Sequence, residues 1–255
     1  MYLESVKNIS QAARIKIEYL KRSLISYLAA SMLAGAYIGI GIVLIFSVGA
    51  PLAQNDSVLL KTLMGISFGI ALTLVVFAGG ELFTGNNMFM AIGFLKREVT
   101  LAEVLKVWAF SWAGNLAGSL LLAWLVTASG AISHAAGLME KVSAAKMALP
   151  AMQLFLRGIL CNWLVCLALW TASRTKSDAA KCILIFWCLF AFIACAYEHS
   201  IANMTLFAMS LFSPHAAAVS WLGFFRNLFY VTLGNIVGGA FFVGALYYVA
   251  TYKEE

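Results

Sequence analysis

Charge is scarce in this sequence. Only 11% of its 255 residues are Asp, Glu, Lys or Arg, where a soluble domain carries about 25%. That scarcity excludes a disordered chain, which needs charge to stay expanded. Proline is rarer still, with three in all, and neither a collagen nor a coiled-coil period is present. Five cysteines in so long a chain, without Cys-x-x-Cys spacing or a Cys/His ligand pattern, make neither a disulfide scaffold nor a metal site. They read as small apolar core residues. Missing too are a Walker loop, a dinucleotide fingerprint, a nucleophile elbow and a zinc-protease motif, so nothing marks an enzyme or a cofactor site. What remains is apolar. Hydrophobic residues make up 63% of the chain and mean hydropathy is +0.91, the composition of an all-α polytopic membrane protein.

A spanning helix needs about 20 mostly apolar residues. Residues 24–50, 107–129, 149–173 and 228–250 read as unbroken spans. The stretches 62–95 and 182–212 are too long and are interrupted, the first by Gly79-Gly80-Glu81-Leu82-Phe83-Thr84-Gly85-Asn86-Asn87 and the second by Glu198-His199-Ser200 and Asn203. Six transmembrane segments result, the second and fifth broken. Most of the 17 basic residues fall on one side of them: Lys7, Arg14, Lys16, Lys21, Arg22, Lys96, Arg97, Lys106, Arg174, Lys176, Lys181 and Lys253. By the positive-inside rule both termini are cytoplasmic and the membrane is the cell (inner) membrane. The net charge of +6 is therefore topological, and a nucleic-acid partner is not expected. Residues 1–22 read as an amphipathic interfacial helix, with Leu3, Val6, Ile9, Ala13 and Ile17 on its apolar face, and residues 23–255 as the transmembrane domain. The connection 130–146 is expected to be a loop.

The breaks repeat. Glu81-x4-Asn86 is matched by Glu198-x4-Asn203, and Gly114-Asn115-Leu116-Ala117-Gly118 downstream by Gly234-Asn235-Ile236-Val237-Gly238. With three spans in each half, repeat one (24–129) and repeat two (149–250) cross in opposite senses, an inverted repeat whose substrate path runs where the broken helices meet. Gly-Asn-x-x-Gly also suits close helix packing.

Irregular backbone at membrane depth persists only inside protein or along an aqueous path. Ionisable groups there cost at least about 2.5–3.5 kcal/mol on insertion scales, so Glu81, Glu198 and His199 need partners or a purpose. The carboxylates either accept hydrogen bonds from backbone N–H groups freed by the breaks or relay protons. His199 has Leu82 as its counterpart in the first half, and this asymmetry points to function, since imidazole donates to anions and exchanges protons near neutral pH. Thr84 lies in the opposite break and can donate a hydroxyl into the same space. Asn86 and Asn203 line the path or cap half-helices. Half-helix N-termini favour anions between them. Lys146 and Arg157 add positive character to the outer half of repeat two, or else snorkel to the interface. A neutral-solute channel for water, glycerol or ammonia would use the same repeat, and a membrane redox protein would use His and Cys as ligands.

Gly80-Glu81-Leu82-Phe83-Thr84-Gly85-Asn86, together with Glu198-His199-Ser200-Ile201-Ala202-Asn203-Met204, resembles the formate/nitrite transporter family, and Cys161-Asn162 and Gly234-Asn235 extend the resemblance over the chain. It implies an aquaporin-like fold without the Asn-Pro-Ala motif, which this chain also lacks, and a homopentamer with a pore for small monovalent anions in each protomer. Transferred onto this sequence, the central histidine is His199, the facing threonine Thr84, the vestibule lysine Lys146, and the pore asparagines Asn162 and Asn203. The apolar constrictions correspond to Leu72, Leu82, Val165 and Phe192, with Phe68 and Phe83 nearby. Members pass formate, nitrite or hydrosulfide, and the Gly-Glu-Leu-Phe-Thr-Gly-Asn wording leans toward hydrosulfide.

Overall fold

The computed structural model describes residues 2–251, which are helices and their connections with no strand among them. Lys253, counted above with the cytoplasmic charges, lies outside the described residues. Five helices are long and apolar enough to cross a membrane: α2 (Leu24–Gln54), α3 (Leu60–Gly79), α5 (Leu101–Ala128), α7 (Ala151–Ala172) and α10 (Trp221–Thr251). Shorter or more polar ones fill the gaps: α1 (Leu3–Arg22), α4 (Phe83–Leu95), α6 (Ala136–Ala148), α8 (Asp178–Ala194) and α9 (Ser200–Phe212).

Several helix starts are written locally. Thr100 and Glu103 form a reciprocal capping box at the head of α5, and the hydroxyls of Ser23, Ser177 and Ser220 accept N–H bonds at the heads of α2, α8 and α10. Each satisfies donors that a helix leaves unpaired. The two interrupted stretches are broken where expected. Between α3 and α4 the chain leaves helical geometry over Gly80–Leu82, and between α8 and α9 over 195–199. Each break carries a left-handed residue two places before its glutamate: Gly79 at φ 86° and Ala196 at φ 54°. That geometry is free for glycine and strained for alanine.

Two expectations change. The connection 130–146 is not a loop, because α6 runs through most of it. Met139, Ser143 and Met147, spaced by four, give it a buried face. In α1 the expected apolar face is present, but protein covers it. Ala13 and Ile17 pack with Met90, Val104 and Val107, while Val6 and Ile9 pack with Met88, Ile92 and Trp170.

The Gly-Asn-x-x-Gly pairs do serve close packing. A Cβ on Gly114 or Gly118 would run into Ser31 and Met32 of α2, and one on Gly234 or Gly238 into Phe155 and Ile159 of α7. Backbones this close bring the asparagine between each glycine pair within reach of a break.

Candidate functional site

The two breaks are held by the same device. In the first, the Glu81 N–H donates to the Ala30 carbonyl (3.1 Å), Asn115 Oδ1 accepts the Phe83 N–H (2.9 Å), and Asn115 Nδ2 donates to the carbonyls of Ser31 (2.7 Å) and Glu81 (3.0 Å). In the second, the Glu198 N–H donates to the Arg157 carbonyl (3.2 Å), Asn235 Oδ1 accepts the Ser200 N–H (3.0 Å), and Asn235 Nδ2 donates to the carbonyls of Gly158 (2.8 Å) and Glu198 (3.1 Å). Ala30-Ser31 in one half thus corresponds to Arg157-Gly158 in the other. One amide side chain supplies what lipid cannot give an interrupted backbone.

With the freed backbone groups satisfied by these asparagines and neighbouring carbonyls, the carboxylates do something else. Among the described residues, neither receives the backbone N–H bonds anticipated for it. Glu81 accepts from Lys16 Nζ (2.9 and 2.8 Å), Tyr27 Oη (3.2 Å) and Asn86 Nδ2 (3.1 Å). Glu198 accepts from Lys146 Nζ (2.7 Å) and Asn203 Nδ2 (2.6 Å). Lys146 also donates to Asn203 Oδ1 (3.2 Å), and Asn203 Nδ2 to Asn227 Oδ1 (2.9 Å). Each carboxylate, Glu198 buried and Glu81 partly so, is therefore one corner of a Lys–Glu–Asn triad, a compensated way to hold a charge away from water. Asn86 and Asn203 belong to the triads rather than capping their half-helices.

His199 and Thr84 come together although 115 positions apart, with Nε2 and Oγ1 at 3.2 Å and both side chains buried. His199 is the N-cap of α9, and its Nδ1 accepts the Ala202 N–H at 3.1 Å. That bond assigns the ring proton of a neutral imidazole to Nε2, which then donates to Thr84 Oγ1. The threonine keeps its own hydroxyl proton to give elsewhere. Asn162, fully buried, fixes Thr84 from behind. Its Nδ2 lies within hydrogen-bond distance of the Thr84 carbonyl (3.1 Å), Asn87 Oδ1 (3.0 Å) and the Asn235 carbonyl (2.6 Å).

A cavity of about 810 Å³ reaches His199 from the Lys146 side, with Phe192, Glu198, Asn203, Lys146 and Arg157 also in its wall, together with Lys61 and Lys141. Four cationic side chains there face two carboxylates, Asp56 and Glu198, so the cavity is electropositive. Phe68, Leu72, Leu82, Phe83, Val165 and Phe192 are all buried in one contiguous apolar cluster, of which Phe192 also lines the cavity. The Phe68 and Phe192 rings meet edge to face at 5.5 Å, and the Phe192 ring stacks on His199 at 5.9 Å. Cys161 and Cys166 are buried and unbridged. No group of three or more His, Cys, Asp or Glu among the described residues is arranged to hold a metal.

Lys16, Asn115 and Asn235 carry more of the site than the sequence suggested. Lys16 was counted among orienting charges and is the partner of Glu81. Repeat logic had the means to find it, since a cation beside one matched glutamate calls for a cation beside the other.

Comparison with known proteins gives one answer. A family model for formate/nitrite transporters matches residues 3–249. The chain is 47% identical over 233 residues to the nitrite transporter NirC of Escherichia coli (strain K12), which covers 91% of this chain and 85% of that one. It resembles a solved FNT family ion channel with a TM-score of 0.93, 41% identity and coverage of 98% and 99% of the two chains. A pentameric formate channel with formate bound follows at a TM-score of 0.80, 29% identity and coverage of 90% and 98%. All-helical, with several span-length apolar helices, this multi-pass membrane protein belongs to the formate/nitrite transporter family.

Proposed function

We propose that the chain forms a pore for small monovalent anions, with nitrite and formate first among its substrates and hydrosulfide as the third candidate. The observation that carries this reading is the His199–Thr84 contact at the inner end of an electropositive cavity and against an apolar cluster. Relatives support the substrate class: one is named for nitrite and one solved structure holds formate. A neutral-solute channel has no such support. In this reading the helices make six transmembrane segments in two inverted three-helix repeats, aquaporin-like in arrangement, with the second and fifth broken. They sit in the cell membrane with both termini cytoplasmic and five copies assembled. The Lys146 cavity is then the outer vestibule, and the Lys16–Glu81–Asn86 triad marks its inner mirror.

An anion drawn into the vestibule reaches the apolar side chains of Phe192, Phe68, Leu72, Leu82, Phe83 and Val165. A bare charge crossing such a zone pays a desolvation cost of order 20 kcal/mol in the idealised limit. Two groups lower it. The Thr84 hydroxyl, oriented by His199, donates to the anion, and a weak-acid anion that takes up a proton beside His199 crosses as the neutral acid. A neutral imidazole serves this better than a fixed cation, which would hold the anion. Chloride has only the hydroxyl to help it, because a strong-acid anion stays charged and apolar rings that dewet exclude a hydrated ion. Glu198 and Asn203 hold Lys146 in place at the entrance, and Asn162 holds Thr84.

The test is a panel of formate, nitrite, hydrosulfide, chloride and lactate on reconstituted protein, set against stopped-flow swelling with glycerol. Flux of nitrite or formate far above chloride, without glycerol swelling, is expected. Glycerol swelling without anion flux contradicts the reading.

A further inference from the structure

Four matched positions in the two halves are alike in kind: Lys16 and Lys146, Glu81 and Glu198, Asn86 and Asn203, Asn115 and Asn235. Of those that differ, as Thr84 and Ile201 do, two set a basic side chain against an apolar one. His199 faces Leu82, and Arg157 faces Ala30, since the carbonyls of Arg157 and Ala30 play the same part toward the two glutamate N–H groups. The first asymmetry belongs to the site already described. The second puts a guanidinium in the wall of the cavity, on the residue whose backbone is tied to the break that carries His199.

Arg157 lies about 9 Å along α7 from its first residue, six positions at about 1.5 Å each. Its side chain is only partly exposed. Among the described residues no carboxylate pairs with it and no acceptor takes a hydrogen bond from it. Lys146, the neighbouring cation, has its charge held by Glu198 at 2.7 Å, and Lys61 and Lys141 are exposed at the outer part of the cavity. The unpaired positive charge beside the break is therefore that of Arg157. A half-buried cation without a partner is costly in a spanning helix unless it has a use.

Resting on the pore reading above, we propose that Arg157 is the anion-reading residue of this cavity. Its planar fork of N–H donors engages anions with two oxygens on one atom, such as nitrite or formate, in preference to hydrosulfide or chloride. A guanidinium meets two coplanar oxygens through paired N–H donors, whereas an anion with a single acceptor atom offers no match to the fork. The Lys16 side has Ala30 at this position, so capture through the fork operates from one face of the pore.

Initial rates of nitrite, formate and hydrosulfide uptake against concentration, in proteoliposomes of the native chain, Arg157→Gln and Arg157→Lys, test this. Expected is a rise of about five- to tenfold in the apparent KM for nitrite and formate in Arg157→Gln, with the maximal rate within about twofold. Arg157→Lys, which keeps charge without the fork, should recover less than half of the loss, and hydrosulfide KM should move less than twofold. An unchanged KM overturns the assignment, as does an equal shift for all three anions or full rescue by lysine. Should the variants not assemble, phenylglyoxal modification of the native protein read by peptide mass spectrometry decides: nitrite should slow adduct formation at Arg157 several-fold, and an unaffected rate overturns the proposal. Absence of anion flux in the native chain is a different result, because it defeats the pore reading itself.

Discussion

At the scale of single residues, the site depends on side chains that hold others in place. Lys146→Met would leave Glu198, 1% exposed, as a buried carboxylate without its cation, at a cost of about 3–5 kcal/mol. Adding Glu198→Gln should recover most of that, since removing both charges avoids the stranded one. Thermal unfolding of the two variants in detergent checks the difference, and equal destabilisation would contradict the pairing. Asn235→Ala removes the acceptor of the Ser200 N–H and the donor to the carbonyls of Gly158 and Glu198. Each orphaned buried group costs about 1–3 kcal/mol, so the variant should melt several degrees lower and lose most flux, although Asn235 lies outside the cavity wall. The sequence marked His199 and Thr84 by repeat asymmetry and family resemblance. It did not mark the clamp asparagines, because Gly-Asn-x-x-Gly reads as a packing motif until the break it touches is known. Nor did it reveal the carboxylate partners, because the lysine and asparagine of each triad arrive from different elements.

At the scale of elements, the breaks were legible and their geometry was not. Polar residues inside apolar runs located both interruptions, since lipid-facing helices do not tolerate them. The left-handed residue in each could not be read from composition, because one is Gly79 and the other Ala196. The difference gives opposite expectations for two small substitutions. Ala196→Gly should raise stability by about 0.5–1 kcal/mol by relieving a strained φ, and Gly79→Ala should lower it by about 1 kcal/mol or more. A Cβ on Gly79 meets nothing within 4 Å, so its cost is one of backbone conformation alone. Unfolding midpoints that move in the same direction for both would contradict the shared backbone geometry. Helix α6 went unseen for a related reason: its mixed composition resembles a loop, and the four-residue spacing of Met139, Ser143 and Met147 matters only once α9 and α10 stand behind it.

At the scale of the molecule, charge and apolar surface have separate tasks. Lys16, one of the basic residues from which the positive-inside rule reads an orientation, also completes a triad, and the four cations of the cavity make it electropositive. Large apolar side chains such as Leu121, Trp124, Leu125, Phe225 and Phe229 remain exposed on α5 and α10, a surface suited to lipid and to further copies of the chain. Native mass spectrometry in mild detergent should return five times the 27.6 kDa of the protomer, and a uniformly monomeric sample would contradict the assembly proposed here. The central claim is that an anion passes the hydrogen-bonded Thr84–His199 pair and is eased there by protonation. Nitrite influx into proteoliposomes across a range of pH, for the native chain and for His199→Ala, tests it most directly. The account predicts native influx that rises as pH falls, and a variant in which the rate drops about tenfold or more and the pH dependence flattens. Equal influx with the same pH dependence in both would contradict it.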